Sequence, residues 1–204
     1  MKNYFLQKNK SIKSRKASNT ARGFTLVETL VAISIFTVSL LGMMTILSGS
    51  ISNTFYAKQK IVASYLAQEG IEYIRNMRDT YVLYSADGQT GWNSFNDNLS
   101  THSCMTENGC FLNADNLFSL PTPMPMTKVT LTACSSSTCP SGILSYDSTT
   151  GKYGFTGTVS TFTRKIVVNI VSSEETRISS TVSWAQGSGN YSIVFSESLF
   201  NWVE

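Results

Sequence analysis

The sequence predicts an α+β protein: one long N-terminal α-helix, apolar in its first half and amphipathic in its second, packed on an antiparallel β-sheet head. Three observations lead there. No charged residue occurs between Thr29 and Ala57. The following stretch to Asp79 repeats apolar side chains at helical spacing. Beyond residue 128 the chain becomes a series of β-branched and aromatic runs separated by short polar turns.

The apolar half comes first. Phe24 to Leu47 spans 24 residues without a proline, with Gly42 as its interior glycine. As a helix it would extend about 36 Å, enough to cross a bilayer. Seven of the 16 basic residues lie within residues 1 to 23, which hold no Asp or Glu. That leaves nine against 13 acidic residues, so residues 24 to 204 carry −4. The net charge of +3 therefore belongs to the leader, and no nucleic-acid contact follows from it. Basic residues ahead of an apolar span instead predict a cytoplasmic N-terminus. A cleaved secretory signal would have an apolar core of about 7–15 residues and a small-residue site after it. Here the run is longer, and the weak candidate site is Leu47-Ser48-Gly49-Ser50.

One residue disturbs the span. In "RGFTLVETLVAISIF", residues 22 to 36, Glu28 is the fifth residue counted from Phe24. A carboxylate in hydrocarbon costs roughly a few kcal/mol. A simple anchor gives no reason for it. Small Gly23, aromatic Phe24, a carboxylate at the fifth place and then unbroken apolar sequence place the polar boundary before the span, so a cut at Gly23-Phe24 would remove the leader and keep the helix.

This stretch resembles the processing site of type IV prepilins and of the pseudopilins of related secretion and DNA-uptake machines. The resemblance covers about the first quarter of the chain. It implies a pilin-like fold, cleavage after Gly23 by a membrane aspartyl prepilin peptidase, and N-methylation of the new amine on Phe24. It also implies that Glu28 meets the N-terminal amine of a neighbouring subunit during assembly. The physics agrees: a carboxylate and an ammonium pairing in low dielectric offset much of each other's desolvation, and so favour one axial register. The competing reading is a Glu that snorkels to the headgroups. Many type IV pilins carry a proline in the membrane half of this helix; here Gly42 and Gly49 are the local weak points.

The helix is expected to run from about Thr25 to Asp79. Val62, Leu66, Tyr73, Ile74 and Met77 form its apolar stripe, opposite Lys58, Gln59, Gln68, Glu69, Glu72 and Arg75. Glu72/Arg75 and Arg75/Asp79 are spaced as solvated surface pairs worth a few tenths of a kcal/mol. Gly70 weakens the helix by about 1 kcal/mol. Residues 80 to 128 carry no regular pattern, and "LPTPMPM" is a short Pro-rich connector. Strands are expected in "KVTLTA", "KYGFT", "RKIVVNIV", "TRISSTVSWA" and "NYSIVFSES", the last three as an antiparallel meander. Ile178, Val182 and Trp184 alternate with Ser179, Thr181 and Ser183, a dry and a wet face. The amphipathic half of the helix covers the dry one.

Four cysteines, Cys104, Cys110, Cys134 and Cys139, lie beyond the span. An even count in an extracytoplasmic head predicts two disulfides, with three possible connectivities. The local pairs 104–110 and 134–139, each a small loop staple, are favoured. Zinc held by four thiolates is the rival, but structural zinc favours tighter spacing and a reducing compartment. Many major pilins close a disulfide loop near the C-terminus. Here 65 residues follow Cys139, so no receptor-binding role carries over.

No catalytic constellation is visible, and no enzyme, cofactor or metal site is expected. His102 is the single histidine, two residues from Cys104. "DSTTGKY" at Asp147 lacks the oxygen ligands of a calcium loop.

The expected organisation is a leader over 1–23, a transmembrane and polymerisation half over 24–50, an amphipathic half over 51–79 and a globular head over 80–204. The expected function is a structural subunit, a minor pilin or a pseudopilin of secretion or DNA uptake. Its partners would be membrane lipid before assembly, the prepilin peptidase, inner-membrane assembly machinery and other pilin subunits. It would begin as a single-pass inner-membrane protein with an extracytoplasmic head and end in an extracellular or periplasmic filament. The second reading is an anchored adhesive or ligand-binding protein using Trp92, Tyr81 and Tyr84.

Overall fold

The computed structural model describes residues 23–113 and 130–202. The leader up to residue 22 and the Pro-rich connector fall outside the described residues. The chain divides between Gly49 and Ser50 into two units.

Helix α1, Leu26–Tyr84, belongs to both units by sequence. Among the described residues of the first unit no side chain is buried, and the helix contains a window of mean hydropathy 2.3. By length and composition this segment can cross a membrane. Thr25 starts the helix: its hydroxyl accepts the Glu28 N–H at 3.2 Å. Its carbonyl accepts the Thr29 N–H at 3.1 Å. α1 ends at Tyr84, beyond the expected Asp79, after burying Val82.

The head unit is a seven-stranded antiparallel sheet with a helical face over it. Its strands are β1 (Cys110–Asn113), β2 (Thr130–Ala133), β3 (Ile143–Asp147), β4 (Lys152–Gly154), β5 (Thr158–Ser172), β6 (Glu175–Gln186) and β7 (Gly189–Phe200). β5 is the spine. On one side it pairs with β6 along most of its length; on the other it pairs with β3 and, at Ile166, with β1. β6 and β7 complete the expected meander, in register from Glu175↔Phe200 to Gln186↔Gly189. Gly187, at φ +59°, takes the left-handed turn between them at little cost.

The faces of β6 are as the alternation predicts. Ile178, Val182 and Trp184 are buried, while Ser179, Thr181 and Ser183 are partly exposed. Against the dry face α1 packs Ala63, Leu66, Ala67, Ile71, Ile74 and Met77. Gly70 is the point of closest approach: a Cβ there would come within 2.6 Å of Ser180 Oγ and 3.1 Å of Arg164 Cδ. Its role is clearance between helix and sheet as well as local weakening.

Residues 80 to 128 are not uniformly irregular. Besides the end of α1, they hold helix α2 (Gly88–Thr101) and β1. Asp87 caps α2, accepting the Thr90 N–H at 2.7 Å and the Thr90 hydroxyl at 2.9 Å. Trp92, Phe95 and Leu99 form its buried stripe. Gly91 lets α2 lie directly on α1, since a Cβ would sit 2.6 Å from the Tyr81 carbonyl oxygen. Trp92 Nε1 donates to the Ser173 carbonyl at 2.7 Å, tying α2 to the β5–β6 turn. β3 was also not expected; it fills the edge of β5 with buried Leu144.

Candidate functional site: the N-terminal end of the long helix

Gly23, Phe24 and Thr25 precede the first helical residue. The Gly23–Phe24 bond therefore lies in non-helical backbone. A Cβ at Gly23 would meet nothing within 4 Å, and Phe24 is 80% exposed. One turn on, Glu28 holds the N3 position of α1, with Thr25 as the N-cap. A carboxylate suits this end of a helix, where the backbone N–H groups carry partial positive charge. Among the described residues no Lys or Arg lies within ion-pair distance of it.

The other polar side chains of the span behave differently. Thr29, Ser34, Thr37, Ser39 and Thr45 each donate a hydroxyl to a carbonyl three or four residues earlier, at 2.8–2.9 Å. Their donors are satisfied inside the helix, so they enter an apolar environment at little cost. Glu28 has no such internal route. It is the one charged side chain of the described segment before Lys58.

The described residues of the head contain no comparable reactive arrangement. Cys104 is joined to Cys110 and Cys134 to Cys139. The first bridge lies in the main core and connects the end of α2 to β1. His102 is the C-cap of α2, its Nδ1 donating to the Asn98 carbonyl at 2.8 Å, and Cys104 is oxidised; they form no catalytic pair. Asp147 spends its oxygens on the Thr149 N–H and the Thr150 hydroxyl, both at 2.8 Å. These bonds hold its carboxyl below the usual carboxylate range, the Thr150 hydroxyl most strongly. No three acidic, His or Cys side chains gather as metal ligands among the described residues.

Of the aromatics weighed as ligand contacts, Trp92 is core and Tyr81 packs against Phe95 at 6.5 Å; Tyr84 is exposed. Burial pushes the Tyr81 phenol up.

Of the two expected surface pairs, Glu72/Arg75 forms and Arg75/Asp79 does not. Arg75 does not use Asp79: it joins Glu72, at 2.6 Å, to Glu197 of β7. The bond to Glu197 raises the Arg75 guanidinium above its ordinary value, against a smaller effect of burial. Asp79 pairs with Arg78 at 2.6 Å. Glu69 does not simply face solvent either. It reaches Arg164 of β5, which also donates to the Leu66 carbonyl and lies 5.6 Å from the Tyr73 ring centroid. The sequence signal for this was the place of Arg164 in the alternation Phe162, Arg164, Ile166, Val168, on the dry side of β5.

Residues 18–44 match the family model described as "Prokaryotic N-terminal methylation motif". No curated protein and no solved structure matches the chain.

Proposed function

The chain carries the N-terminal signature of type IV pilins and pseudopilins, and from that premise we propose that it is a structural filament subunit, matured by cleavage after Gly23 and assembled through the apolar half of α1. A structural rather than catalytic role, membrane anchoring with a C-terminal head, processing by a prepilin peptidase and assembly with other pilin subunits go with the signature.

The observation that carries the proposal is Glu28. It stands at N3 of a helix whose apolar half buries nothing, and among the described residues it is a charged side chain with no ion-pair partner. Cleavage after Gly23 would create a second unpartnered charge, the ammonium of Phe24. Each alone is costly in hydrocarbon; together, across two subunits, they offset one another and fix the axial stagger. The amine of one chain is the natural partner because it arises only after processing. The capping arrangement with Thr25 keeps the carboxylate at the helix start, next to where that amine would be.

The subunit is a minor component in this reading, on account of its large disulfide-bearing head. The test is Glu28→Ala expressed with the peptidase and assembly machinery. It should be processed normally and be missing from sheared filaments. Incorporation at the wild-type level would reject the register role.

A further inference from the structure

We propose that the cavity between α1 and the β6–β7 turn is a binding site for a neutral saccharide. Its volume is about 520 Å³, within the range of small-molecule sites and roomy enough for a disaccharide. Asn53, Tyr56 and Gln59 of α1 line it on one side, Gln186 and Tyr191 on the other. All belong to the head unit.

Three features define the ligand. First, none of the eight lining residues is charged, so neither an anion nor a cation is selected. Lys60 lies nearby, 6.0 Å from the Tyr56 ring centroid, but does not line the cavity. Second, two lining residues bring buried amide oxygens with no hydrogen-bond partner, Gln59 Oε1 and Gln186 Oε1. The Gln186 amide is oriented by its Nε2, which donates to the Ser52 carbonyl at 3.3 Å. A small turn of the flexible Gln side chains would bring these unmatched acceptors to a donor in the cavity. Third, the cavity has an aromatic wall. Tyr56 and Tyr191 have centroids 5.0 Å apart, and Trp184 stacks behind Tyr191 at 5.8 Å. Gly189 leaves room for that wall: a Cβ there would come within 2.9 Å of the Tyr191 hydroxyl.

A pyranose meets all three requirements. It is uncharged, presents O–H donors around its rim, and offers C–H faces that lie flat on aromatic rings. A Pro-rich peptide also stacks on aromatic rings, but it offers few N–H donors to the two amide oxygens, whereas a pyranose carries hydroxyls around its whole rim. The site is independent of the helix N-terminus and does not rest on the filament reading.

The test uses the full chain in a non-glycosidic detergent. Saturation-transfer difference NMR is run with maltose, cellobiose, lactose and N,N′-diacetylchitobiose. At least one should receive saturation on its ring C–H protons, with Kd below about 10 mM. Gln59→Leu and Tyr191→Ala should each weaken it about tenfold, while Tyr146→Ala, outside the cavity, should not. Thermal melts establish that each variant is folded; if Tyr191→Ala is not, Tyr191→Leu replaces it. Lack of transfer to all four sugars, or unchanged affinity in the folded cavity variants, overturns the proposal. So does self-association that the same substitutions abolish, which would give the cavity to a second copy of the chain.

Discussion

Arg164 Nη1 lies 2.8 Å from Glu69 Oε2, joining the middle of the sheet to the helix that covers it. The arginine side chain is 3% exposed and the glutamate 37%, so the cation is the more deeply buried partner. Breaking such a pair from one side leaves an uncompensated charge and costs about 3–5 kcal/mol, whereas exchanging both partners for apolar groups is often neutral. Glu69→Leu should therefore lower stability by about 3 kcal/mol, and Glu69→Leu/Arg164→Met should regain most of it. Denaturant unfolding of the two single variants and the double variant checks this. Additivity within about 0.5 kcal/mol would mean that the two residues are not coupled.

Gly70 gives a second, sharper test of the same packing. On an isolated helix, Gly→Ala would stabilise by about 1 kcal/mol. Here the added methyl would press on Ser180 Oγ at 2.6 Å, in a fully buried position. Overpacking costs about 1–3 kcal/mol, so Gly70→Ala should be net destabilising. Adding Ser180→Ala removes the opposing oxygen and should restore stability. A stabilising Gly70→Ala, measured by thermal melt, would show that helix and sheet are further apart.

The cap of α2 has a pH signature. Hydrogen bonds from Thr90, its backbone N–H above all, hold the Asp87 carboxyl below the usual carboxylate range. A depressed folded pKa adds stability above the unfolded pKa and loses it as pH falls through the folded one. The stability difference between the wild type and Asp87→Ala should therefore be full at neutral pH. It should shrink once pH drops below about 4. A difference that grows in acid would have the wrong sign.

The disulfides are separable. Each closes a short loop, and chain entropy alone gives about 2 kcal/mol apiece. Cys104–Cys110 is also part of the main core, with both cysteines fully buried. Cys104→Ala/Cys110→Ala should thus cost more than Cys134→Ala/Cys139→Ala, as read from urea midpoints. Equal losses would reduce both bridges to loop staples.

Much of the fold is legible in the sequence because its strongest signals are long and repetitive. The charge-free run from Thr29 to Ala57 and the stripe from Val62 to Met77 mark α1. The β-branched alternation marks β5, β6 and β7. α2 was harder: Trp92, Phe95 and Leu99 have helical spacing, but Gly88, Gly91 and several Asn lower its intrinsic propensity. Packing against Tyr81 and the β5–β6 turn supplies what propensity lacks. β1 and β3 are too short, at 4 and 5 residues, to show a period by themselves. Long-range pairs such as Glu69–Arg164 and Arg75–Glu197 depend on which faces meet, which local spacing does not encode. At the N-terminus, the order of Gly23, Phe24 and Glu28 is what marks the proposed processing site. The Thr25 cap became visible only with the helix start.

The most direct measurement is the intact mass and N-terminal sequence of the chain recovered from membranes of cells that contain a prepilin peptidase. The expected mature protein begins at N-methylated Phe24, retains the whole apolar helix, and gains about four hydrogens on reduction as its two disulfides open. A chain still starting at Met1 in the presence of active peptidase, or one starting beyond Leu47, would contradict the account.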